Sequence, residues 1–547
     1  MMKKGKYLAV ALAGMLAIGG LTACGSKGSA GSTGPKESIA DRYTPKKDTP
    51  AWKLDKKKKV TNLTWYLNAD WWVNTDAFGK DMITKKLEKD LNVKIKFVTG
   101  DNTKLNTYFA SGDMPDIITI DDMTSSTAKK AASWAWSLND LSKKYDPYFL
   151  AHAAKKMTLD WYKLKDGKSY GYPNFSNTQD DFDKGYVNPT TAFVVRNDVY
   201  KAIGEPSMKT PEEFLAALKK IHEKFPDLLG FGFNSVIEGA SAISYSLQDY
   251  LGVPVKTKSG AYYDRNLDPD YLKWVQTINT AYRRGYLSDD TFSDDTNGFT
   301  DKLKAGKYAT IFMDGTTSQA SALQSFIDAN KGKKYVAIDG PQSTMGRTIT
   351  LRNSGVSGWM NSYITKKAKD PAKVMQLFTY LTSKQGMIQM QFGIKNKTYT
   401  VNSDGKLAIK PEVTALQNSN PTKYTNTYNL GSFYLFANDR TLANGAANSN
   451  AKSVQQFIDW GKGKVKSNYL VENVAPDQGT QEAKNYSNIN TTWNTSIVSM
   501  IRAKNDKAYD AAMAAYKKAK KQYDYAAIQK IMNQKMKQNI KKLGLKE

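Results

Sequence analysis

Residues 112–122 read Gly-Asp-Met-Pro-Asp-Ile-Ile-Thr-Ile-Asp-Asp, and this stretch indicates the fold class of the chain. Gly112 and Pro115 predict a turn, because glycine frees the backbone and proline disfavours helix in the residue before it. The β-branched run 117–120 is typical of a short buried strand. Two carboxylates, Asp121 and Asp122, follow directly. In open α/β sheets, ligands bind beyond the carboxyl ends of the strands, so this strand would deliver polar groups to a crevice.

Taken alone, this stretch favours a plain edge loop with solvated aspartates, and the crevice interpretation depends on other stretches that fit the same plan. Residues 60–66 predict a first strand and residues 76–91 a helix. Residues 93–98 predict a half-buried strand, because apolar residues alternate with lysine. With the strand at 117–120, the order strand–helix–strand–helix–strand is typical of an α/β protein.

Two adjacent tryptophans follow the first predicted strand, in the sequence Asn68-Ala69-Asp70-Trp71-Trp72. Neighbouring residues of a regular element point to different faces, so we expect one ring in the core and the other exposed. Trp72 is expected to be the freer ring, since it lies one residue further into the loop. An exposed tryptophan is a good platform for the face of a sugar.

Helix starts further along the chain are well marked. Thr210-Pro211-Glu212-Glu213 predicts a helix with Thr210 as its cap, proline in its first turn and Glu213 completing a capping box. Residues 370–386 predict a second helix that begins at Asp-Pro and ends near a glycine. From residue 506 onward, the chain is rich in Ala, Lys and Gln and predicts two or more surface helices.

The composition excludes several classes of site. The chain has 547 residues, of which 40% are hydrophobic and 24% charged, enough for two to four domains. It contains one cysteine and two distant histidines. Zinc sites built from Cys and His, Cys–His nucleophiles and disulfide frameworks are therefore poorly supplied or impossible. Residues 294–298 hint at a calcium loop, but the full spacing and the terminal Glu are missing. We therefore expect a solvated loop and no metal.

The net charge of +27 invites a nucleic-acid partner. However, the lysines are spread widely and no nucleic-acid-binding module is present, so we expect no nucleic-acid partner. The charge is more typical of a solvated surface that faces an anionic membrane or a cell wall.

The N-terminus predicts export and lipidation. Lys3, Lys4 and Lys6 form a basic segment, and residues 7–21 form an apolar segment too short to span a bilayer in the usual way. The sequence Leu-Thr-Ala-Cys-Gly at 21–25 looks like a bacterial lipobox, which implies cleavage before Cys24 and lipidation of its thiol, with palmitate among the expected acyl chains. Removal of the signal peptide, residues 1–23, leaves a charge of about +24. Residues 24–58 are expected to be a lipidated, flexible tether.

The order of these pieces resembles the extracellular solute-binding proteins of bacterial ABC importers, in particular the sugar-binding type (family 1). Each piece is weak alone, but their order and spacing make the set specific. The matching pieces are the lipobox, residues 112–117, 166–173, 193–198 with the helix after Thr210, 306–313, and 358–364 with the helix 370–386.

The resemblance implies a periplasmic-binding-protein-like fold of type II, in which two α/β lobes joined by a hinge hold a ligand in the cleft between them. It places crossings between the lobes near Pro173, residues 352–355 and residues 395–401. Lobe one would comprise residues 59–174 and 356–396, and lobe two residues 175–355 and 397–547.

The resemblance also suggests ligand-binding residues. In sugar-binding relatives, acidic groups after the first strand and after the Pro-Asp strand contact sugar hydroxyls. The strand at 306–313 is often followed by a stacking Trp, but here Asp-Gly follows, which argues against maltodextrin itself. The expected ligand-binding residues are Asp70, Trp71, Trp72, Asp121, Asp122, Asn174, Asp314 and Trp359. Tyr245 is expected to pack in the core instead.

Three classes of function remain open. The first is a transport receptor that captures an extracellular oligosaccharide and delivers it to the transmembrane subunits of an ABC permease. The second is a binding protein for a peptide or polyanion, which the charge suggests. The third is an extracellular glycan-active enzyme, since paired carboxylates serve acid–base chemistry, although no acid and base stand out. We expect the first: a monomer without enzymatic activity or cofactor, anchored through Cys24 on the extracellular face of a Gram-positive cell membrane.

Overall fold

The structure is a computed structural model that describes residues 35–72, 74–121, 123–234, 241–353, 355–431, 435–436 and 452–545. Its first sheet has five strands in the spatial order β2-β1-β3-β10-β4. The strands are β1 Thr61–Leu67, β2 Val93–Thr99, β3 Ile117–Ile120, β4 Gly171–Pro173 and β10 Asn361–Ile364. Strand β1 pairs in parallel with β2 and β3, and β10 pairs antiparallel with β3 and β4.

The stretch 112–122 folds as its sequence predicts. Gly112 adopts φ +71° and caps the helix Asn102–Ser111, and every residue of β3 is buried. Asp116 is buried at the start of β3, where its carboxylate accepts hydrogen bonds from the backbone N–H groups of Thr64 and Lys369. This carboxylate therefore ties β1 to the segment that follows β10.

The second sheet has four strands in the order β6-β7-β5-β8. These are β5 Thr191–Arg196, β6 Leu229–Phe233, β7 Tyr308–Asp314 and β8 Tyr335–Ala337. Strand β7 pairs in parallel with β6 and antiparallel with β5. Two short pairs complete the strands: β9 Leu351–Asn353 with β13 Val465–Ser467, and β11 Tyr399–Val401 with β12 Leu407–Ile409.

Helices cover both sheets and define two lobes. Around the first sheet, the first lobe, lie Met82–Leu91, Asn102–Ser111, Ser126–Lys129, Ala131–Trp134, Leu138–Tyr145, Lys156–Trp161, Pro371–Thr382, Lys384–Phe392, Pro411–Ser419 and Pro421–Thr427. Around the second sheet, the second lobe, lie Asn197–Ala202, Pro211–Lys224, Leu247–Tyr250, Pro269–Arg283, Thr296–Lys304, Ala320–Ala329, Lys452–Gly461, Gln481–Ile501, Asp506–Gln522 and Tyr525–Leu543. The helix Gln179–Asp183 follows the passage out of β4.

The marked helix starts form as expected. Thr210 accepts a hydrogen bond from the backbone of Glu213, whose side chain accepts one from the backbone of Thr210. The predicted helix 370–386 is instead two helices that meet at Ser383, which caps the second. Gly386 lies inside this second helix and does not end it. A Cβ at this position would approach the carbonyl oxygen of Tyr380 to 1.9 Å, so the glycine allows the two helices to come close together.

The segment 35–58 is docked on the first lobe, which differs from the expected flexible tether. Tyr43 donates a hydrogen bond to the backbone carbonyl of Tyr145, and the backbone N–H of Ala51 donates to the carboxylate of Asp146. Burial raises the pKa of Asp146 to about 7. For residues 35–58 the structure differs from the tether prediction because composition reports flexibility, whereas a few anchoring residues hold this polar segment in place; residues 24–34 lie outside the described residues. We call residues 35–58 the strap.

Residues 397–436 also differ from their expected place, which was the second lobe. Val413, Tyr424, Leu430 and Phe436 are buried in the apolar cluster of the first lobe. The helix Lys452–Gly461 packs in the second lobe. The chain therefore returns to the second lobe after Phe436 and not near residues 395–401.

The C-terminal helices are part of the second core. Met513, Tyr516, Ile528 and Met532 are buried in the same cluster as the helices that cover the second sheet. The expectation of plain surface helices was therefore incomplete, because one face of each helix is apolar. Within the described part of the chain, none of the helices is long and apolar enough to cross a membrane.

Candidate ligand-binding site

The first rim of the cleft forms where β1 and β3 end. The backbone N–H of Asn68 donates to the carbonyl of Thr119, and its side-chain amide donates to Asp121 at 3.1 Å. Asp70 and Asp121 are exposed at this edge. The structure thus brings these two predicted carboxylates to one edge of the sheet, while Asp122 lies outside the described residues.

Of the two adjacent tryptophans, Trp71 is the exposed one. Its side chain is 52% exposed, whereas Trp72 is 6% exposed and packs in the core of the first lobe. The expectation that Trp72 is the freer ring is therefore wrong. The chain turns back after Ala69, whose carbonyl accepts a hydrogen bond from the backbone N–H of Trp72, and this turn directs Trp72 into the core.

Trp71 stacks against Trp359, with ring centroids 6.0 Å apart and an angle of 28° between the planes. Trp359 is itself 40% exposed and precedes β10. We call Trp71 and Trp359 the tryptophan pair. Two large, partly exposed indole rings stacked on each other form an apolar surface at the cleft, of the kind that takes the C–H face of a sugar.

Asn174 lies behind this platform. Its side chain is 2% exposed, and its Oδ1 accepts hydrogen bonds from the backbone N–H groups of Trp359 and Met360, each at 3.2 Å. This placement differs from the expectation that Asn174 contacts ligand directly. The geometry instead makes Asn174 a residue that positions Trp359.

The second rim forms where β7 ends at Asp314. Its carboxylate accepts hydrogen bonds from Thr191 at 3.1 Å and from Ser246 at 2.8 Å. The side-chain amide of Asn234 donates a hydrogen bond to the backbone carbonyl of Asp314 and accepts one from its backbone N–H. Asp314 lines a cavity of about 200 Å³, which we call the polar pocket, and the other lining residues are Thr190, Thr191, Ser246, Asp249, Thr350, Leu351, Arg352 and Asn353.

Two arginines meet one carboxylate at the polar pocket. Asp249 lies 2.7 Å from Nη2 of Arg265 and 3.3 Å from Nε of Arg352. Burial raises the pKa of Asp249 and lowers the pKa of Arg352. Among the described residues, the buried Nε of Arg265 has no hydrogen-bond partner, and the buried Nε of Arg352 faces Asp249 without forming a hydrogen bond. The sequence did not indicate that Asp249, Arg265 and Arg352 meet, because no local pattern pairs residues so far apart in the chain. Arg352 was expected only as part of a crossing between the lobes.

Tyr245 also differs from its expected place in the core. It lies on the π-helical turn Ala242–Ser246, beside the serine that bonds Asp314, and its side chain is 42% exposed. Its hydroxyl lies 3.4 Å from the side chain of Asn494. Tyr245 therefore supplies an exposed ring near the second rim.

A hinge crossing links the two rims. The backbone N–H groups of Val356 and Ser357 donate to the carboxylate of Glu472, at 3.1 and 2.7 Å. A Cβ at Gly355 would approach this carboxylate to 2.1 Å, so a larger residue here would displace the Glu472 side chain. Burial raises the pKa of Glu472 to about 7.

A second cavity, of about 260 Å³, lies where the first lobe faces the helix Tyr525–Leu543. Four lysines line it: Lys129 and Lys163 from the first lobe, Lys535 and Lys542 from the second. We call it the lysine cavity. Its other lining residues include Met123, Thr124, Trp161, Asn361 and Asp477.

The loop 294–298 shows no metal-binding geometry. Asp294 pairs with Lys302 at 2.7 Å, and Asp295 caps the helix Thr296–Lys304. Over the described ranges, no group of three or more acidic, His or Cys side chains is arranged to hold a metal ion.

The profile of the bacterial extracellular solute-binding proteins matches residues 82–404, more than half of the chain. The chain belongs to this family. This solute-binding protein is 25% identical over 333 residues to the lipoprotein LipO of Bacillus subtilis (strain 168), a match that covers 58% of this chain and 63% of LipO. The match therefore spans less than two thirds of that relative.

Solved structures of similar fold include three solute-binding proteins. Alginate-binding protein AlgQ2 is 18% identical, with a TM-score of 0.60, and the match covers 88% of this chain and 99% of AlgQ2. The substrate-binding protein FusA of S. pneumoniae, solved with kestose, is 15% identical with a TM-score of 0.59, covering 87% and 99%. The N-glycan transport protein NgtS of Streptococcus pneumoniae is 16% identical with a TM-score of 0.56, covering 89% and 100%. At these identities the likeness shows the fold, and it confirms the predicted two-lobe α/β class.

Proposed function

We propose that this protein is the substrate-binding lipoprotein of an ABC importer and that it captures an extracellular oligosaccharide between its lobes. The observation that carries the proposal is the tryptophan pair, exposed at the edge where the strands of the first lobe end. Sugars combine apolar C–H faces with a ring of hydroxyls, so their sites need aromatic platforms and edge-on polar groups. Solved proteins of this fold include an alginate-binding protein, a substrate-binding protein in complex with kestose and an N-glycan transport protein.

In this proposal each lobe supplies half of the site. Trp71 and Trp359 stack on the sugar, while Asp70 and Asp121 accept hydrogen bonds from its hydroxyls. From the second lobe, the polar pocket offers Asp314 and Arg352, which accept and donate hydrogen bonds respectively. The site thus binds and orients a ligand, and we propose no catalytic role for it. Delivery goes to the transmembrane subunits of a permease.

The first test is a stability screen of the full mature chain against neutral and acidic oligosaccharides. A bound sugar stabilises the folded state by roughly 2.7 kcal/mol at a concentration one hundred times Kd, so the midpoint of thermal unfolding should rise. Closure of the lobes should also reduce the radius of gyration in solution scattering. The proposal is wrong if no saccharide shifts the midpoint while a peptide library does, or if the protein releases products from a glycan that it binds.

A second prediction concerns the anchor, which rests on the lipobox at residues 21–25, outside the described residues. A Cys24→Ala variant should lose the acyl label and appear in the soluble fraction after export, because its lipid attachment atom is gone. A Ser26→Ala variant serves as the control and should remain membrane-bound. Retention in the membrane fraction of Cys24→Ala protein whose signal peptide has been removed would contradict the anchor.

A further inference from the structure

The lysine cavity has a charge pattern that the proposed site does not use. Lys129 and Lys535 approach it from opposite lobes, and both bind the same carboxylate, that of Asp477, at 2.7 and 2.6 Å. Lys163 pairs with Asp160, outside the cavity. Like charges gathered from two lobes oppose closure, and Asp477 offsets only part of this repulsion. An anion between the lobes would remove the rest.

Lys542 is the lysine least compensated by the protein. Its ammonium donates to the backbone carbonyl of Trp161 at 3.0 Å and lies 5.6 Å from the centre of that indole ring. In the described part of the chain, no carboxylate forms an ion pair with it. The pKa of Lys542 is lowered because the ammonium is partly desolvated. Lys542 is an exposed residue that lines the cavity, so its unpaired ammonium is accessible to an anionic group from outside the chain.

Asn361, in the same cavity, presents a hydrogen-bond acceptor, whereas the lysines present donors. Its side chain is 1% exposed, and its amide nitrogen donates to the hydroxyl of Tyr363 at 3.0 Å. Its Oδ1 is buried and accepts no hydrogen bond from any described residue. A buried acceptor of this kind needs a donor, which a hydroxyl provides and a simple inorganic anion lacks. The cavity therefore fits a ligand that carries both anionic oxygens and hydroxyl groups.

The lysine cavity is also adjacent to the proposed sugar site, because the hydroxyl of Tyr162, which lines the cavity, accepts a hydrogen bond from the backbone N–H of Gly358, the residue before Trp359. Asn361 begins β10 directly after the segment that carries Trp359, and Met123 and Thr124 belong to the loop after Asp121. A ligand several sugar units long that stacks on the tryptophan pair can therefore extend toward the lysines.

Resting on the proposed function, we infer that the oligosaccharide is acidic and that the lysine cavity binds its carboxylate or sulfate groups. The ammonium of Lys542 pairs with an anionic oxygen, and Asn361 accepts a hydrogen bond from a neighbouring hydroxyl. The strongly basic balance of the chain would speed capture of such a ligand by electrostatic steering.

The test uses titration calorimetry of the full mature chain with defined tetrasaccharides. The probes are galacturonate, glucuronate and mannuronate tetrasaccharides, their carboxyl-reduced neutral counterparts, a sulfated tetrasaccharide and inorganic sulfate. We expect at least one acidic probe to bind roughly tenfold or more tightly than its neutral counterpart, because charge-assisted hydrogen bonds are stronger than neutral ones. Its affinity should fall as salt is raised. The sulfated probe separates sulfate from carboxylate recognition.

Variants of the helix Tyr525–Leu543 then show whether Lys542 causes the preference for acidic probes. Lys542→Gln should weaken the acidic probe roughly tenfold and leave a neutral probe unchanged, while Lys542→Arg should retain binding. Lys537→Gln, an exposed lysine of the same helix outside the cavity, is the matched control. Equal binding of acidic and neutral probes, or unchanged acidic binding in Lys542→Gln, overturns the inference but leaves the proposed function standing. Competition by inorganic sulfate as strong as that of the tetrasaccharide also overturns it. Absence of binding by every saccharide overturns the proposed function itself.

Discussion

An Arg42→Met variant is expected to lose about 3 to 5 kcal/mol of unfolding free energy, because it leaves two buried carboxylates without their main partner. The guanidinium of Arg42, in the strap, binds Asp55 at 2.6 Å and Asp370 at 3.1 Å. The side chains of these aspartates are only 1% and 4% exposed. Lys373 and Lys57 remain as partners but do not replace the two-pronged contact. Urea denaturation followed by circular dichroism measures the loss.

The matched control is Arg502→Met. Arg502 also pairs with an aspartate, Asp289 at 2.9 Å, but both side chains are largely exposed. Exposed pairs of this kind contribute about 0 to 1 kcal/mol, so the control should unfold nearly like the wild type. Similar losses in both variants would contradict the importance of the buried network.

The same network gives a pH signature. Burial alone would raise the pKa of Asp55, but hydrogen bonds from Arg42 and Lys373 outweigh it and hold this pKa well below its ordinary value. A carboxyl with a lowered pKa in the folded state stabilises the fold above its unfolded pKa, near 4, and this contribution is lost as pH falls. Acidification below about pH 4 should therefore weaken the wild type more steeply than Arg42→Met. Parallel pH profiles would contradict this assignment.

Trp71→Ala is expected to weaken oligosaccharide binding by about 1 to 3 kcal/mol while leaving the fold intact, since the ring is half exposed and contacts the rings of Trp72 and Trp359. Trp72→Ala should instead lower the unfolding free energy by about 3 to 5 kcal/mol, because it leaves a cavity in the core of the first lobe. Calorimetric titration with a saccharide that passes the stability screen measures the first effect, and urea denaturation measures the second.

The two tryptophans thus serve as each other's control. The double variant Trp71→Ala/Trp359→Ala should lose less affinity than the sum of the single variants, because the rings form one platform and residues in contact couple. Unchanged affinity in Trp71→Ala, with normal folding, would remove the tryptophan pair from the site. A loss of affinity in Trp72→Ala without any loss of stability would reverse the assignment of the two rings.

Local patterns in the sequence predicted much of the secondary structure. The strand Ile117–Ile120 and the capped start of the helix Pro211–Lys224 formed where they were expected. Such features depend on residues within a few positions of one another: a β-branched run between turn residues, or a capping box three residues long. The order of these elements was also enough to indicate the two-lobe α/β class and the solute-binding family.

The sequence did not determine which of two adjacent tryptophans faces the core, or that the strap docks on the first lobe through Arg42 and Asp370. It also missed the meeting of Asp249 with Arg265 and Arg352, because charged residues show no periodicity that names their partners. The lysine cavity joins side chains more than three hundred positions apart. Local rules act over one or two turns of chain, whereas these contacts arise only when distant segments pack, within a lobe or, for the lysine cavity, between the lobes. The tertiary structure alone therefore decides them.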